Sequence, residues 1–434
     1  MDKESQNNSC FGITEISEKL GVSQKLVRRH IASGALKSTK IGGVYKIPVQ
    51  SLDDFINDIE IKNQELLGFD SSKEKSLDTN SSKTKSTNNY KNNSKDDVNW
   101  VDVVGDWENP KKSKLTFVDL FSGAGGITKG FELAGLNGVC GLDWFEAAGK
   151  TYRRNFSHPF IEGDIKSPEK KAEFYATVKK ELKGRQLNIV AGGFPCQGFS
   201  MAGNRIVDDP RNSLYKELLE IVTTLNPEFV VCENVVGIRS MHKGKVEEMI
   251  INDFKAAGYE MKVTVLRAAD YGVPQKRDRV IFVGNRIDKM NFHPTPFLKA
   301  TEYITTGQAI GDLMEMGDNI EFNHVRTKHR PDMAERMLQL EEGKSLYKGY
   351  SDAWKKCPWN EASCTIKENH GGVNVHPKLP RVLTAREMAR IQSFPDDFIF
   401  EGPKNKQLVQ LGNAVPPLLS KAIGLAIRKS YDLI

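Results

Sequence analysis

An α/β doubly wound, Rossmann-like sheet is the fold class predicted for the main body of this 434-residue chain, and three observations predict it. Apolar runs of strand length alternate with helical stretches from Thr116 onward. The first run leads straight into a glycine turn, Ser122-Gly123-Ala124-Gly125-Gly126, as a strand-to-helix junction requires. The chain is also long enough for two to three domains with a well-buried core.

The first element in chain order is a small unit over residues 12–60. Thr14 can cap a helix through Leu20, Gly21 turns the chain, and Ser23 can cap a second helix. In that second helix Leu26, Val27 and Ile31 recur at helical spacing and form a packing face. Gln24, Lys25, Arg28 and Arg29 are left on the opposite, basic face. Ile41 to Ile47 reads as a hairpin and Ser51 to Ile59 as a closing helix. This layout resembles the winged helix-turn-helix of excisionase-like and MerR-like DNA-binding domains, whose second helix fits the major groove. A basic helical hairpin that only docks on the rest of the chain is the alternative.

From Asn63 to Asp97 the sequence is rich in Ser, Lys, Asn, Asp and Thr, with hardly any large apolar residue to offset the entropy of ordering. A flexible linker over 61–112 is therefore expected. Strand runs then follow at Thr116 to Phe121, Gly138 to Leu142, Leu187 to Ala191, Phe229 to Cys232, Lys262 to Leu266 and Val280 to Val283. They delimit an α/β main body over 113–290. Between 291 and 400 the rhythm fades, and His324, Arg326, Lys328, His329 and Arg330 accompany Tyr347, Tyr350, Trp354 and Trp359. Residues 401–434 return to the main body.

Composition narrows the function classes. A net charge of +6, from 62 basic and 56 acidic residues, permits an anionic partner without demanding one. Six cysteines in so long a chain make no disulfide framework. Cys357 and Cys364, with His370 and His376 after them, are spaced too loosely for a zinc site, and no metal is expected. The N-terminus has no apolar signal core and no run is long enough to cross a bilayer, so a soluble, reduced, cytoplasmic protein without membrane contact is expected.

Two constellations carry chemistry. In the first, Phe121, Ser122, Gly123, Gly125 and Gly126 open a helix N-terminus to a ligand, in a spacing that departs from the dinucleotide fingerprint. One βα unit later Asp143 offers a carboxylate for ribose hydroxyls and Trp144 an aromatic face for adenine, and Asp164-Ile165 follows at the third strand. Either acid could equally cap a helix. A nucleoside without a pyrophosphate, such as S-adenosylmethionine, fits this set. In the second, Cys196 sits on the turn Gly193-Phe194-Pro195-Cys196-Gln197 after an apolar run, where a thiol is placed as a nucleophile. Glu233-Asn234-Val235 ends the next run, and Arg277 and Arg279 alternate along a strand edge so that both can face one side.

Taken in order, these motifs resemble a bacterial C5-cytosine DNA methyltransferase from Thr116 to the C-terminus. The match continues through Arg381-Val382-Leu383-Thr384-Ala385-Arg386-Glu387, Ile391-Gln392-Ser393-Phe394-Pro395 and Gln410-Leu411-Gly412-Asn413-Ala414-Val415-Pro416. The resemblance implies an S-adenosylmethionine-dependent fold with a small target-recognition domain over 291–400. It also implies a covalent Cys196 adduct at C6 of a flipped-out cytosine, with Glu233 at N3. Arg277 and Arg279 would then hold the cytosine O2 and a nearby phosphate. Pro195 and Asn413 are assigned to the cofactor, and Ser200, Gly203, Asn204 and Arg205 to a loop that closes over the base flipped out of double-stranded DNA. A monomer within a restriction-modification system, autoregulated at its own promoter by the N-terminal unit, is the further expectation. Methylation of RNA on the same scaffold is the rival, disfavoured by the long region after 290.

Overall fold

The computed structural model describes residues 10–20, 27, 31, 36–41, 44–48, 50–51, 98–195, 201–202, 205–206, 213–347, 354–367 and 373–432. Gln24, Lys25, Arg28, Arg29, Cys196, Ser200, Asn204 and His370 lie outside the described residues, and of Arg205 only the backbone is described, in a two-residue strand. The chain divides into two compact units, Met1–Asp97 and Val98–Ile434.

In the first unit β1 (Cys10–Phe11), β2 (Thr39–Ile41) and β3 (Val44–Pro48) form an antiparallel sheet in the order β1-β3-β2. The β2-β3 hairpin stands where the wing was expected, and β1 was not foreseen, because a two-residue strand carries no periodicity. Helix α1 (Ile13–Leu20) starts one residue before the expected Thr14. Ile13, Ile16, Val27, Leu36 and Ile47 share one small core, so Val27 of the expected second helix faces inward as its spacing required.

The second unit is built on a seven-stranded sheet. Its strands are β5 (Thr116–Leu120), β6 (Asn137–Asp143), β7 (Phe160–Glu162), β8 (Ile189–Gly192), β11 (Phe229–Val235), β12 (Glu260–Arg267) and β13 (Asp278–Asn285). The short pair β9 (Met201–Ala202) and β10 (Arg205–Ile206) lies apart from it. The order is β12-β13-β11-β8-β5-β6-β7, parallel except that β13 runs antiparallel to both neighbours. The chain builds outward from β5 to β6 and β7, then returns to lay β8 on its other side. That reversal opens a crevice at the carboxyl ends of β5 and β8, where doubly wound sheets bind ligands.

Period-two alternation inside each continuous apolar run sorts side chains to the two faces. Val118, Leu120, Val190, Val230, Cys232, Val280 and Phe282 share one core with Phe174, Leu218 and Phe254 of the covering helices. Phe117, Ile189, Ala191, Phe229, Val231, Ile281 and Val283 share the other, with Phe131 of α2 (Gly126–Leu133) and Leu419, Ile423 and Ile427 of the last helix, Pro417–Asp432. The last helix thus packs, with α2, on this face of the sheet over β5, β8, β11 and β13.

Residues 98–112 belong to this unit, which corrects the expected linker boundary. β4 (Asn99–Val101) pairs in parallel with β14 (Phe292–Pro294), and Trp107 packs edge-on to Phe297 with Lys421 Nζ 4.4 Å from its ring centroid. Val103 and Trp107 bury apolar surface that the more polar residues before them lack.

A second core without extended strands occupies 306–411, where Ile310, Leu313, Met337, Ile366, Val382, Met388, Phe394 and Phe398 cluster and reach Tyr152 and Phe156 beside β7. It is organised by a buried bidentate pair, Arg381 Nη1 to Glu387 Oε2 at 2.8 Å and Nη2 to Oε1 at 2.7 Å. Thr384 and Glu387 form a capping box on the helix Ala385–Ile391. Fully buried Arg386 donates to the carbonyls of Phe322, Pro395 and Phe398. Burial would raise the Glu387 carboxyl, yet Arg381 holds it below the usual carboxylate range. Arg381→Met, which strands that carboxylate, is expected to cost about 3–5 kcal/mol in urea unfolding at neutral pH. The deficit should shrink in acid: a carboxyl with a depressed folded pKa contributes stability above its unfolded value and loses it as pH falls.

Among the described residues no helix is long and apolar enough to cross a membrane.

Candidate active site

The crevice at the strand ends is lined by residues the sequence singled out. After Leu120 the chain passes through Phe121 (φ 54°) and Gly123 (φ 52°), both left-handed, and Gly125 (φ 93°) caps α2. A Cβ on Gly126 would stand 2.1 Å from the Val415 carbonyl oxygen, so only glycine lets the C-terminal segment close on this helix. A Cβ on Gly123 would meet nothing within 4 Å, leaving open space on the side where a ligand would approach the backbone. Ser122 is buried, with its N–H on the Leu142 carbonyl at 3.2 Å.

Asp143, at the end of β6, braces this turn. Its Oδ2 accepts from Gly123 N at 2.8 Å and its Oδ1 from Phe145 N at 2.8 Å. Neither bond caps a helix, since the helices that follow have Phe145 and Gly125 at their N-caps and no side-chain cap, and one lone pair per oxygen is left for a hydroxyl. Trp144 is 73% exposed, a free aromatic face beside the turn. Asp164 is exposed and accepts from Lys166 N at 2.9 Å, while Ile165 is buried. Pro195 and Asn413 are exposed at the end of β8 and the end of the helix Lys404–Asn413. Beneath the turn Asp119 is fully buried, with Oδ2 accepting from the Thr128 hydroxyl at 2.6 Å and Oδ1 unpartnered. Burial pushes its carboxyl up to about 7.

The turn that leads to Cys196 leaves β8 beside the end of β11. Buried Asn234 donates to the Phe194 carbonyl at 2.8 Å, fixing the backbone two residues before Cys196. Glu233 points the same way, since a Cβ on Gly193 would lie 3.0 Å from its Oε2. Its Oε1 is 2.6 Å from Arg279 Nε. That pair follows from register: Glu233 faces Ile281 across β11 and β13, so Arg279, two residues earlier on β13, is its diagonal neighbour on the same face. Asp278 beside it is clamped by Arg267 at 2.8 and 3.0 Å.

Arg277 departs from expectation. It precedes β13 and is 2% exposed, with Nη1 donating to the Ile366 carbonyl at 2.9 Å and Nη2 to the Gly412 carbonyl at 3.0 Å. It presents no guanidinium to a phosphate. A buried charge needs acceptors, and two carbonyls take one bond from each terminal nitrogen while Nε is left without a partner. Two residues given no role by sequence, Gln275 and Gln392, are completely buried beside it and hydrogen-bonded to each other at 2.8 Å. Both stand among polar or charged neighbours in the sequence, Gln275 before Lys276-Arg277-Asp278-Arg279 and Gln392 between Arg390-Ile391 and Ser393, so nothing local marked them as buried. Cys357 and Cys364 stand Sγ to Sγ at 3.8 Å, but among the described residues no three metal-ligating side chains come together.

Residues 115–429 match the family of C-5 cytosine-specific DNA methylases. The chain belongs to that family. It is a DNA cytosine-5 methyltransferase, and residues 10–59 match a helix-turn-helix domain. The methylase is 38% identical over 330 residues to the Type II methyltransferase M1.HphI of Haemophilus parahaemolyticus, covering 73% of this chain and 87% of that protein. It is 29% identical over 451 residues to M.Eco47II of Escherichia coli, covering 98% of this chain and 96% of that one. In fold it resembles a prophage-encoded DNA modification methyltransferase of E. coli, with a TM-score of 0.59 at 23% identity over 74% of this chain and all of the other.

Proposed function

We propose that the methylase transfers a methyl group from S-adenosylmethionine to C5 of a cytosine flipped out of duplex DNA, through a covalent Cys196 adduct at C6. The observation that carries this reading is the Glu233–Arg279 pair beside the turn that leads to Cys196. The open glycine turn, exposed Trp144 and exposed Asn413 suit an adenosyl donor, which when bound supplies an electrophilic methyl on a sulfonium.

C5 of cytosine is too weak a nucleophile to take a methyl unaided. The Cys196 thiolate forms a bond to C6, and the displaced electron pair moves into the ring as Glu233 gives a proton to N3. The resulting enamine is nucleophilic at C5 and would bond there to the methyl group the bound donor supplies, the pair of the broken methyl–sulfur bond remaining on the donor's sulfur. A base then removes the C5 proton, the C5–C6 double bond re-forms, the C6–S bond breaks, and the N3 proton returns to Glu233. Arg279 holds the cytosine O2 and keeps Glu233 aimed. Arg277, buried with both terminal nitrogens on carbonyls, acts by holding these segments together.

Residues 291–400 are proposed to read the DNA sequence, and the loop with Ser200, Asn204 and Arg205 to close on the flipped base. Type II relatives suggest a restriction-modification role that protects host DNA. Gln24, Lys25, Arg28 and Arg29 would then bind the enzyme's own promoter. Incubation with methyl-labelled S-adenosylmethionine and either duplex DNA or transfer RNA tests the core of this reading. Label is expected at C5 of cytosine in DNA, and label in RNA alone would overturn it.

A further inference from the structure

Gln275 and Arg277, two residues apart, hold the two ends of a single residue. The Ile366 N–H donates to Gln275 Oε1 at 2.8 Å, and the Ile366 carbonyl accepts from Arg277 Nη1 at 2.9 Å. Both side chains then reach further. Arg277 Nη2 donates to the Gly412 carbonyl at 3.0 Å. Gln275 Nε2 donates to Gln392 Oε1 at 2.8 Å, and Gln392 Nε2 donates to the Leu411 carbonyl at 2.7 Å. Two parallel bridges thus run from Ile366 to consecutive carbonyls immediately before Asn413.

Nothing in these bridges is solvated: Gln275 and Gln392 are 0% exposed, Arg277 2% and Ile366 0%. Arg277 Nε is also left without a partner, so the guanidinium is incompletely satisfied where it lies. Apolar filler would join these segments at lower cost, because an incompletely satisfied buried charge is an inefficient adhesive. Directional bonds supply something apolar contacts do not, namely a fixed register between the segments they join. Three segments meet here. Ile366 belongs to the 291–400 region, Leu411 and Gly412 adjoin Asn413, and Arg277 lies two residues from Arg279, which grips Glu233. Lys276 N donates to the Ser363 carbonyl at 2.8 Å and Ser363 N to the Pro274 carbonyl at 2.9 Å, so the first of these segments lies along the motif.

We infer that Gln275, Arg277 and Gln392 are positioning residues that couple methyl-donor binding to loading of the target base. This rests on the proposed assignment of the donor to the Asn413 crevice and of DNA to the 291–400 region. A donor seated at Asn413 fixes the Leu411 and Gly412 carbonyls, and the two bridges carry that constraint to Ile366 and to the strand bearing Arg279. By linkage, DNA must tighten the donor by the same factor as the donor tightens DNA.

The test uses the full chain, with S-adenosylhomocysteine as unreactive probe and a duplex carrying the site that the wild type methylates, found by bisulfite sequencing. Calorimetric Kd values for the probe are measured with and without saturating duplex. Wild type is expected to show tightening of about fivefold or more, the lower end of ordinary coupling. Arg277→Lys and Gln392→Met, each cutting one bridge, should lower that factor to under about twofold while either ligand alone binds within about threefold of wild type. Gln392→Met leaves the guanidinium untouched and carries the test if the lysine variant does not fold. Full coupling in the folded variants, parallel weakening of both ligands with coupling intact, or a wild type without coupling would each overturn the inference. A wild type that binds no probe even with duplex present would instead remove the donor assignment on which it rests.

Discussion

Cys196→Ser is expected to abolish methyl transfer, with a loss on the order of 10⁴-fold or more in the single-turnover rate, as removal of a covalent nucleophile produces elsewhere. The two side chains differ by one atom, so the difference is chemical. A thiol ionises near neutral pH where its surroundings favour it, whereas a serine hydroxyl does not and cannot add to C6 without a base to activate it. Donor binding should be unchanged, because the glycine turn and Trp144 are contributed by other strands. The check is a rapid-quench assay with labelled donor, alongside calorimetry with S-adenosylhomocysteine. A serine variant that retained a tenth of the wild-type rate would rule out attack by this thiol.

Glu233→Gln should cost about 10²–10⁴-fold in the same rate, the range a positioned general acid supplies. The amide keeps the shape of the carboxyl but has no proton to deliver to N3. It also leaves the Arg279 guanidinium, 12% exposed, without its charge partner, so part of the loss could come from a displaced arginine. Arg279→Lys separates the two effects. It keeps a cation near Glu233 but loses the planar fork, so it should weaken binding of the flipped cytosine more than it slows the chemical step. A less than tenfold loss in Glu233→Gln would mean that N3 is protonated from another source.

Much of the catalytic body was legible because its strands are continuous apolar runs. The run expected from Phe229 to Cys232 became β11, and that from Val280 to Val283 became the middle of β13. What stayed hidden was set by partners distant in sequence. Nothing in the run itself says that β13 inserts antiparallel between β11 and β12. β4 and β14 are three residues each, too short for periodicity to register, and they pair across almost two hundred positions. The site shows the same division. Glu233 and Arg279 were found by their positions in motifs and are joined by strand register. Arg277 looked equivalent to Arg279 on alternation alone, and only the burial of its head behind Ile366 and Gly412 separates the two. Asp143 was read as either ligand or helix cap, and its two backbone bonds brace the glycine turn without capping a helix.

The bridges described above touch their far partners through peptide groups alone: the N–H and carbonyl of Ile366 and the carbonyls of Leu411 and Gly412. Every amino acid except proline carries those groups, so the connection constrains the path of the main chain and is blind to which side chains decorate it. A lineage can therefore rewrite the side chains around position 366 without renegotiating the joint to the strand bearing Arg279, and if that region reads DNA as proposed, a designer seeking a new target sequence inherits the same freedom.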